Sequence, residues 1–83
     1  MNLTVKYFAS LREALGVSSE SVHTQAATLG ELRDELIARG GVHAQVLGRS
    51  KAVRAALDQV MSEESTRLRA GAEVAFFPPV TGG

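Results

Sequence analysis

Among its 83 residues the chain has no cysteine, no tryptophan, only two prolines and no surplus charge, with nine Lys plus Arg against nine Asp plus Glu. Each absence removes a class of function. Without cysteine there is no disulfide scaffold, thiolate zinc site, iron–sulfur cluster or cysteine nucleophile. A net charge of zero, with a pI near 6.7, removes the electrostatic footprint of a nucleic-acid partner and the polybasic signal for a membrane surface. No apolar run approaches the ~18 residues of a membrane span, and no cationic leader precedes an apolar stretch. A cytoplasmic protein with neither nucleic acid nor membrane as partner is expected. Domains usually run to ~100–200 residues, so this is one domain with a small core and no separate substrate domain. An apolar share of 45% argues against disorder.

What is present reads as alternating strands and helices. Residues 2–8 (NLTVKYF) alternate with period two, Leu3, Val5 and Tyr7 on one face, until Phe8 places an aromatic on the polar face. Ser10 and Glu13 have capping-box spacing ahead of Leu11, Ala14 and Leu15, and Gly16 supplies a stop, which predicts a short helix. Residues 18–24 read as an exposed strand. A second capping box, Thr28 with Glu31, opens the principal helix over 28–40. There Leu29, Leu32, Leu36 and Ile37 form the apolar stripe, while Glu31, Arg33, Asp34 and Glu35 are expected on the surface. Gly30 in the first turn weakens that helix, and Gly40-Gly41 end it. Residues 42–48 predict one loose helical turn, and 52–61 fit helix and strand spacing equally, with Ala and Leu content favouring helix. After a turn at Arg69-Ala70-Gly71, residues 72–77 (AEVAFF) alternate as a strand, which Pro78-Pro79 terminate for want of a ladder donor. The fold class is α+β, with a domain over 1–77 and an extended, flexible tail over 78–83.

The body of the chain carries no catalytic constellation. His23 and His43 lack metal-ligand spacing, so no metal site is expected, and both read as ordinary surface or boundary residues. Glu63-Glu64 sits in a turn-like SEEST stretch and reads as solvated charge. Gly40-Gly41 follows a helix and is not a phosphate loop.

The tail, PPVTGG, differs in kind. A Gly-Gly end alone is also what a frayed terminus looks like. Its geometry nonetheless suits delivery: six extended residues reach ~20 Å. Pro78 and Pro79 stiffen the base so that the tail projects, and Gly82 and Gly83 fit a channel too narrow for side chains. A terminal carboxylate with a pKa near ~3.3–3.7 is ionised at neutral pH and a poor acyl electrophile. It becomes one if its oxygen attacks the α-phosphate of ATP, and a sulfur nucleophile displacing AMP then leaves a thiocarboxylate. With no cysteine in the chain, sulfur chemistry is confined to Gly83.

The ending AEVAFFPPVTGG (72–83) resembles the closing strand and tail of the small, sulfur-carrier subunit of molybdopterin synthase, the MoaD family. VKYFASLREALG (5–16) resembles that family's first strand and short helix, and TLGELRDELIARG (28–40) its long helix. The resemblance implies a ubiquitin-like β-grasp, a mixed sheet packed on one main helix, with 52–61 as strand plus turn. At the turn Asp58-Gln59 stands where the family usually has Asn-Gln, which should alter the turn slightly. It also implies that Gly83 is adenylated by an activating enzyme related to ubiquitin-activating enzymes and then thiolated from a sulfur donor protein. The tail would enter the large catalytic subunit, in a heterotetramer of two of each, and give sulfur to a cyclic pyranopterin precursor of the molybdenum cofactor. The chain itself would be a non-catalytic, sulfur-donating subunit that binds no cofactor, ATP being used by the activating enzyme.

By position, Gly83 is the reactive residue and Gly82 its channel-fitting neighbour, while Pro78, Pro79, Val80 and Thr81 line the inserted tail. Phe76 and Phe77 point to opposite sheet faces, so one is core and the other, beside Phe8, is a candidate docking residue. Other readings of the same tail are a sulfur carrier for thiamine or tRNA thiolation, a protein modifier, or an inert interaction domain.

Overall fold

In the computed structural model, which describes residues 1–79, the period-two alternation at the start forms β1 (Asn2–Tyr7) with Leu3, Val5 and Tyr7 buried. The elements that follow are α1 (Ala9–Leu15), β2 (Ser19–His23), α2 (Leu29–Ile37), α3 (Gly41–Leu47), β3 (Arg54–Leu57), β4 (Val60–Ser62) and β5 (Glu73–Phe77). The five strands lie in the order β2-β1-β5-β3-β4, with β1 and β5 parallel and every other pairing antiparallel. The sheet is therefore mixed, as expected. Its inner face (Leu3, Val5, Tyr7, Val22, Leu57, Val74, Phe76) packs with Leu11 of α1, Leu29, Leu32 and Leu36 of α2, and Leu47 of α3.

The Thr28 cap forms: the Glu31 amide donates to Thr28 Oγ1 at 3.2 Å, and Glu31 Oε1 accepts from the Ala27 amide at 3.2 Å. The Ser10–Glu13 box does not. The Phe8 amide still bonds the Phe76 carbonyl at 3.1 Å, so the chain turns into α1 straight from the sheet, with Phe8 at the N-cap and no side-chain cap. Ser10 then falls inside the first turn. Gly16 ends α1 in the left-handed region, φ 77°, as its position predicted.

Gly30 has a purpose beyond tolerance. Its amide donates to the Glu64 carbonyl at 2.9 Å, and a Cβ there would lie 3.0 Å from Glu64 Oε1 and 3.3 Å from that carbonyl. Close approach of the 63–66 loop to the start of α2 favours glycine, since a side chain there would push Glu64 outward. The principal helix stops at Ile37, short of residue 40, and residues 41–47 form a second helix in place of a loose turn, anchored by the fully buried Leu47.

Residues 54–62 are a hairpin, which agrees with the resemblance and overrides the helix propensity of Ala and Leu. Asp58 and Gln59 carry positive φ, 48° and 69°, as a two-residue turn between twisted strands demands. Asp58 also ties this turn to the start of β5. Its Oδ1 accepts from the Glu73 amide at 2.9 Å, its other oxygen pairs with Arg69, and both hold its carboxyl below the usual range.

Arg33 is the clearest departure from the expected surface face of α2. It is 5% exposed. Its guanidinium donates to the carbonyls of Leu47 (2.7 Å), Gly48 (2.9 Å) and Lys51 (3.0 Å) and to Glu64 (2.8 Å). The chain leaving α3 presents carbonyls that no helix or strand satisfies, and a planar fork of donors answers them from one side chain.

Candidate functional site

β1 and β5 run parallel and end together, so Tyr7, Phe8, Phe76 and Phe77 gather where the chain leaves the sheet at Pro78. Phe76 is the core member of its pair. It is 1% exposed and stacks on Tyr7 with ring centroids 6.5 Å apart, so it is withdrawn as a partner contact. Phe77 is half-buried on the opposite, outer face. Because the Phe8 amide continues the β1–β5 ladder, Phe8 is level with Phe77 on that face, and it is 42% exposed. Pro78 is half-buried and Pro79 exposed. Val80, Thr81, Gly82 and Gly83 lie outside the described residues.

The strand register extends this aromatic pair into a patch. Lys6 pairs with Ala75, Ala75 with Ala56 and Ala56 with Met61, a row across four strands on the outer face. The adjoining row carries Phe77 opposite Arg54. Met61 is 55% exposed. Ala56 and Ala75, themselves only 7% and 8% exposed, thus lie on this face among the larger side chains of Phe77, Met61, Lys6 and Arg54. Sequence reasoning missed Ala56, Ala75 and Met61. Ala56 and Met61 are visible only once residues 54–62 are known to be paired strands, because a helical reading scatters them, and Ala75 joins them only through its register with Ala56.

The other polar groups are structural. The Tyr7 hydroxyl, at the inner face, donates to Glu20 at 2.8 Å, and Arg39 donates to the same carboxylate at 2.8 Å. His43 stands 3.7 Å from Glu20 and meets the Tyr7 ring edge-on. Burial and the Glu20 carboxylate push the Tyr7 hydroxyl well above its ordinary value. Burial acts to raise Glu20, but the hydrogen bonds from Arg39 and Tyr7 outweigh it and hold the carboxyl low. This cluster joins β1 and β2 to the turn after α2, through Arg39, and to α3, through His43. His23 bonds Asn2 at 2.7 Å, and among the described residues no three His, Cys, Asp or Glu side chains cluster as a metal site. Glu64, 41% exposed, is engaged by Arg33 and Arg49, and Arg49 above all holds its carboxyl low. Among the described residues no helix is long and apolar enough to cross a membrane. The chemistry this arrangement can perform is presentation: a sheet with an aromatic outer face and a chain that leaves it through Pro78 and Pro79 at the end of the central strand β5.

Comparison with known proteins gives this arrangement a context. Residues 5–83 match the ThiS family. The molybdopterin synthase sulfur carrier subunit of Haemophilus influenzae is 36% identical over 81 residues, covering 98% of this chain and 99% of that one. Among solved structures, SAMP1 from Haloferax volcanii superposes with a TM-score of 0.79 at 27% identity over the whole of both chains. A complex of subunits 1 and 2 of the molybdopterin-converting factor from Helicobacter pylori contains a chain that superposes with a TM-score of 0.69 at 26% identity, again over the whole of both.

Proposed function

The chain belongs to the ThiS family, and we propose that it is the sulfur-carrier subunit of a molybdopterin synthase. The observation that carries this reading is the near full-length match to a molybdopterin synthase sulfur carrier subunit, joined to a tail that leaves the fold beside an exposed aromatic face. The Gly83 carboxylate attacks the α-phosphate of ATP on an activating enzyme and pyrophosphate departs. A sulfur nucleophile from a donor protein then displaces AMP, leaving a terminal thiocarboxylate. The electrophilic carbon belongs to the tail and ATP to the activating enzyme, so the folded body needs no catalytic group of its own.

The outer face takes the partner. Phe8, Phe77 and Met61 supply apolar area around Ala56 and Ala75, Lys6 and Arg54 set the rim, and burying the aromatic anchors supplies most of the affinity. With that face docked, Pro78 starts the tail at the margin of the contact, and Gly82-Gly83 follow into a channel of the large subunit. There the thiocarboxylate gives its sulfur to the pyranopterin precursor. The unit of function is a heterotetramer of two small and two large subunits in the cytoplasm, where ATP and the activating enzyme are at hand.

Reconstitution tests the assignment. Chain loaded at Gly83, mixed with the molybdopterin synthase large subunit and the precursor, is expected to form the dithiolene, and chain lacking Gly83 is expected to bind the large subunit but form none. Sulfur transfer to a thiazole or tRNA acceptor system with none to the pterin precursor would move the chain to another pathway.

A further inference from the structure

Because seven of the nine basic residues are arginine, the chain has only three primary amines: the Met1 terminus and the side chains of Lys6 and Lys51. An amine can attack an activated acyl group, whereas an arginine guanidinium stays protonated and cannot. Two of the three amines are held. The Met1 ammonium donates to the Thr24 carbonyl at 2.9 Å. Lys6 Nζ pairs with Glu73 at 3.2 Å, on the outer face beside Ala75. Lys51 is exposed, and among the described residues its ammonium has no partner. Its backbone is nevertheless fixed, since the amide donates to the Gly48 carbonyl at 2.9 Å and the carbonyl accepts from Arg33 at 3.0 Å. It stands with α1 and α3 on the helix side of the sheet, beside a cleft where Ser10, Ala14, Ala44, Ser50 and Ala52 are all small. The amine thus projects from an anchored base into open surroundings, away from the face that carries Phe8 and Phe77.

We infer that Lys51 is an acyl-acceptor site, taking the activated glycine terminus of a second copy of this chain. The inference rests on the sulfur-carrier reading, which supplies the acyl-adenylate. The unprotonated Lys51 Nζ attacks the carbonyl carbon of the other copy's Gly83, and a carbon–nitrogen bond forms. The bond from that carbon to the AMP oxygen breaks, AMP leaves with the electron pair, and the amine's proton passes to solvent. An isopeptide bond results, with nothing oxidised or reduced. Sulfur and amine therefore compete for one carbon: a sulfur donor diverts it to thiocarboxylate, and without one the chains become linked. The other two amines are worse acceptors for stated reasons. Met1 must first give up its hydrogen bond to Thr24, and Lys6 must leave Glu73 on a face that the docked partner covers. Lys51 lies outside that face, so it stays open in a docked chain as well as in a free one.

The test is incubation of the full chain with ATP and the activating enzyme, with the sulfur donor left out. Pyrophosphate release reports activation, and mass spectrometry of intact and trypsin-cut protein reports the product. The expected product is two chains less one water, with the tryptic peptide 70–83 of one joined to Lys51 of the other. Lys51→Arg keeps the charge but removes the nucleophile and should abolish this product, while Lys6→Arg should leave it at the level of the natural chain. Restoring the sulfur donor should suppress it. Pyrophosphate release with free chain alone, or with branches spread evenly over Lys51, Lys6 and Met1, would overturn the inference and leave the sulfur-carrier reading standing. No pyrophosphate release, from an enzyme that activates a known carrier, would overturn both.

Discussion

The two faces of the sheet are made from the same strands and have opposite fates. On the inner face Val5, Val74 and Phe76 are sealed by three helices, at 0%, 0% and 1% exposure. On the outer face Phe8, which directly follows β1, and Met61, on the edge strand β4, are 42% and 55% exposed. One face buries its apolar area under the helices and the other leaves it exposed, where the proposed function puts the partner. The small residues mark the difference: Ala56 and Ala75 are buried but stand apart from the inner-face cluster, on the side that carries Phe77 and Met61. On the reading proposed above, a domain with nine charges of each sign acts through one surface and its C-terminal residue.

Adjacent phenylalanines break or sharpen this comparison most directly. Phe76→Ala should cost about 3–5 kcal/mol of folding stability in urea denaturation, the range for emptying a buried aromatic site. Phe77→Ala should cost no more than about 1 kcal/mol of stability, yet weaken binding to the large subunit by at least about 2 kcal/mol, roughly thirtyfold. Equal loss of stability in the two variants would abolish the distinction between the faces.

Arg33 comes next. Arg33→Met keeps the apolar stem but leaves the Leu47 and Lys51 carbonyls without this donor and takes one donor each from the Gly48 carbonyl and Glu64, which keep Lys51 and Arg49, and should lower stability by about 1–3 kcal/mol, seen as a lower urea midpoint at unchanged slope. Arg33→Lys should recover only part, because one ammonium cannot reach all four acceptors. Neither substitution touches the outer face, so large-subunit binding by the folded fraction should be unchanged.

The smallest effects come with pH. Glu20 and Glu64 have folded values below their ordinary 4.5, so their stabilisation is complete above about that pH and is lost as pH falls through the lower folded values. Tyr7 has a folded value raised above its ordinary 10.0, so its contribution is complete below that pH and is lost as pH climbs beyond it. Thermal melts should therefore soften below pH 4.5 and above pH 10. Tyr7→Phe should flatten the alkaline limb, and an alkaline limb identical to that of the natural chain would show that Tyr7 is not its source.

The inner face was legible in the sequence and the outer face was not. Leu3, Val5, Tyr7 and the Leu29–Leu32–Leu36 stripe announce themselves by period, because burial on one side imposes it. The hairpin over 54–62 was hidden, since Ala and Leu favour helix locally and only pairing with β5 makes the segment a strand. Resemblance to a family supplied what periodicity could not. Arg33 looked like surface charge because its partners are carbonyls after α3, which no sequence pattern announces. The Ser10 box failed for a related reason: the Phe8 amide belongs to the sheet, so the helix starts before its apparent cap. Of the candidate site, Phe8 and Phe77 were found from alternation, while Met61 needed the register.

The central claim is that the folded body serves to present Gly83 for activation. Intact-protein mass spectrometry after incubation with ATP, the activating enzyme and a sulfur donor tests it most directly. The account predicts replacement of one oxygen by one sulfur, lost when Gly83 is deleted and retained in Phe76-intact variants of the outer face that still meet the activating enzyme. An unchanged mass under conditions in which the activating enzyme thiolates a known carrier would contradict it.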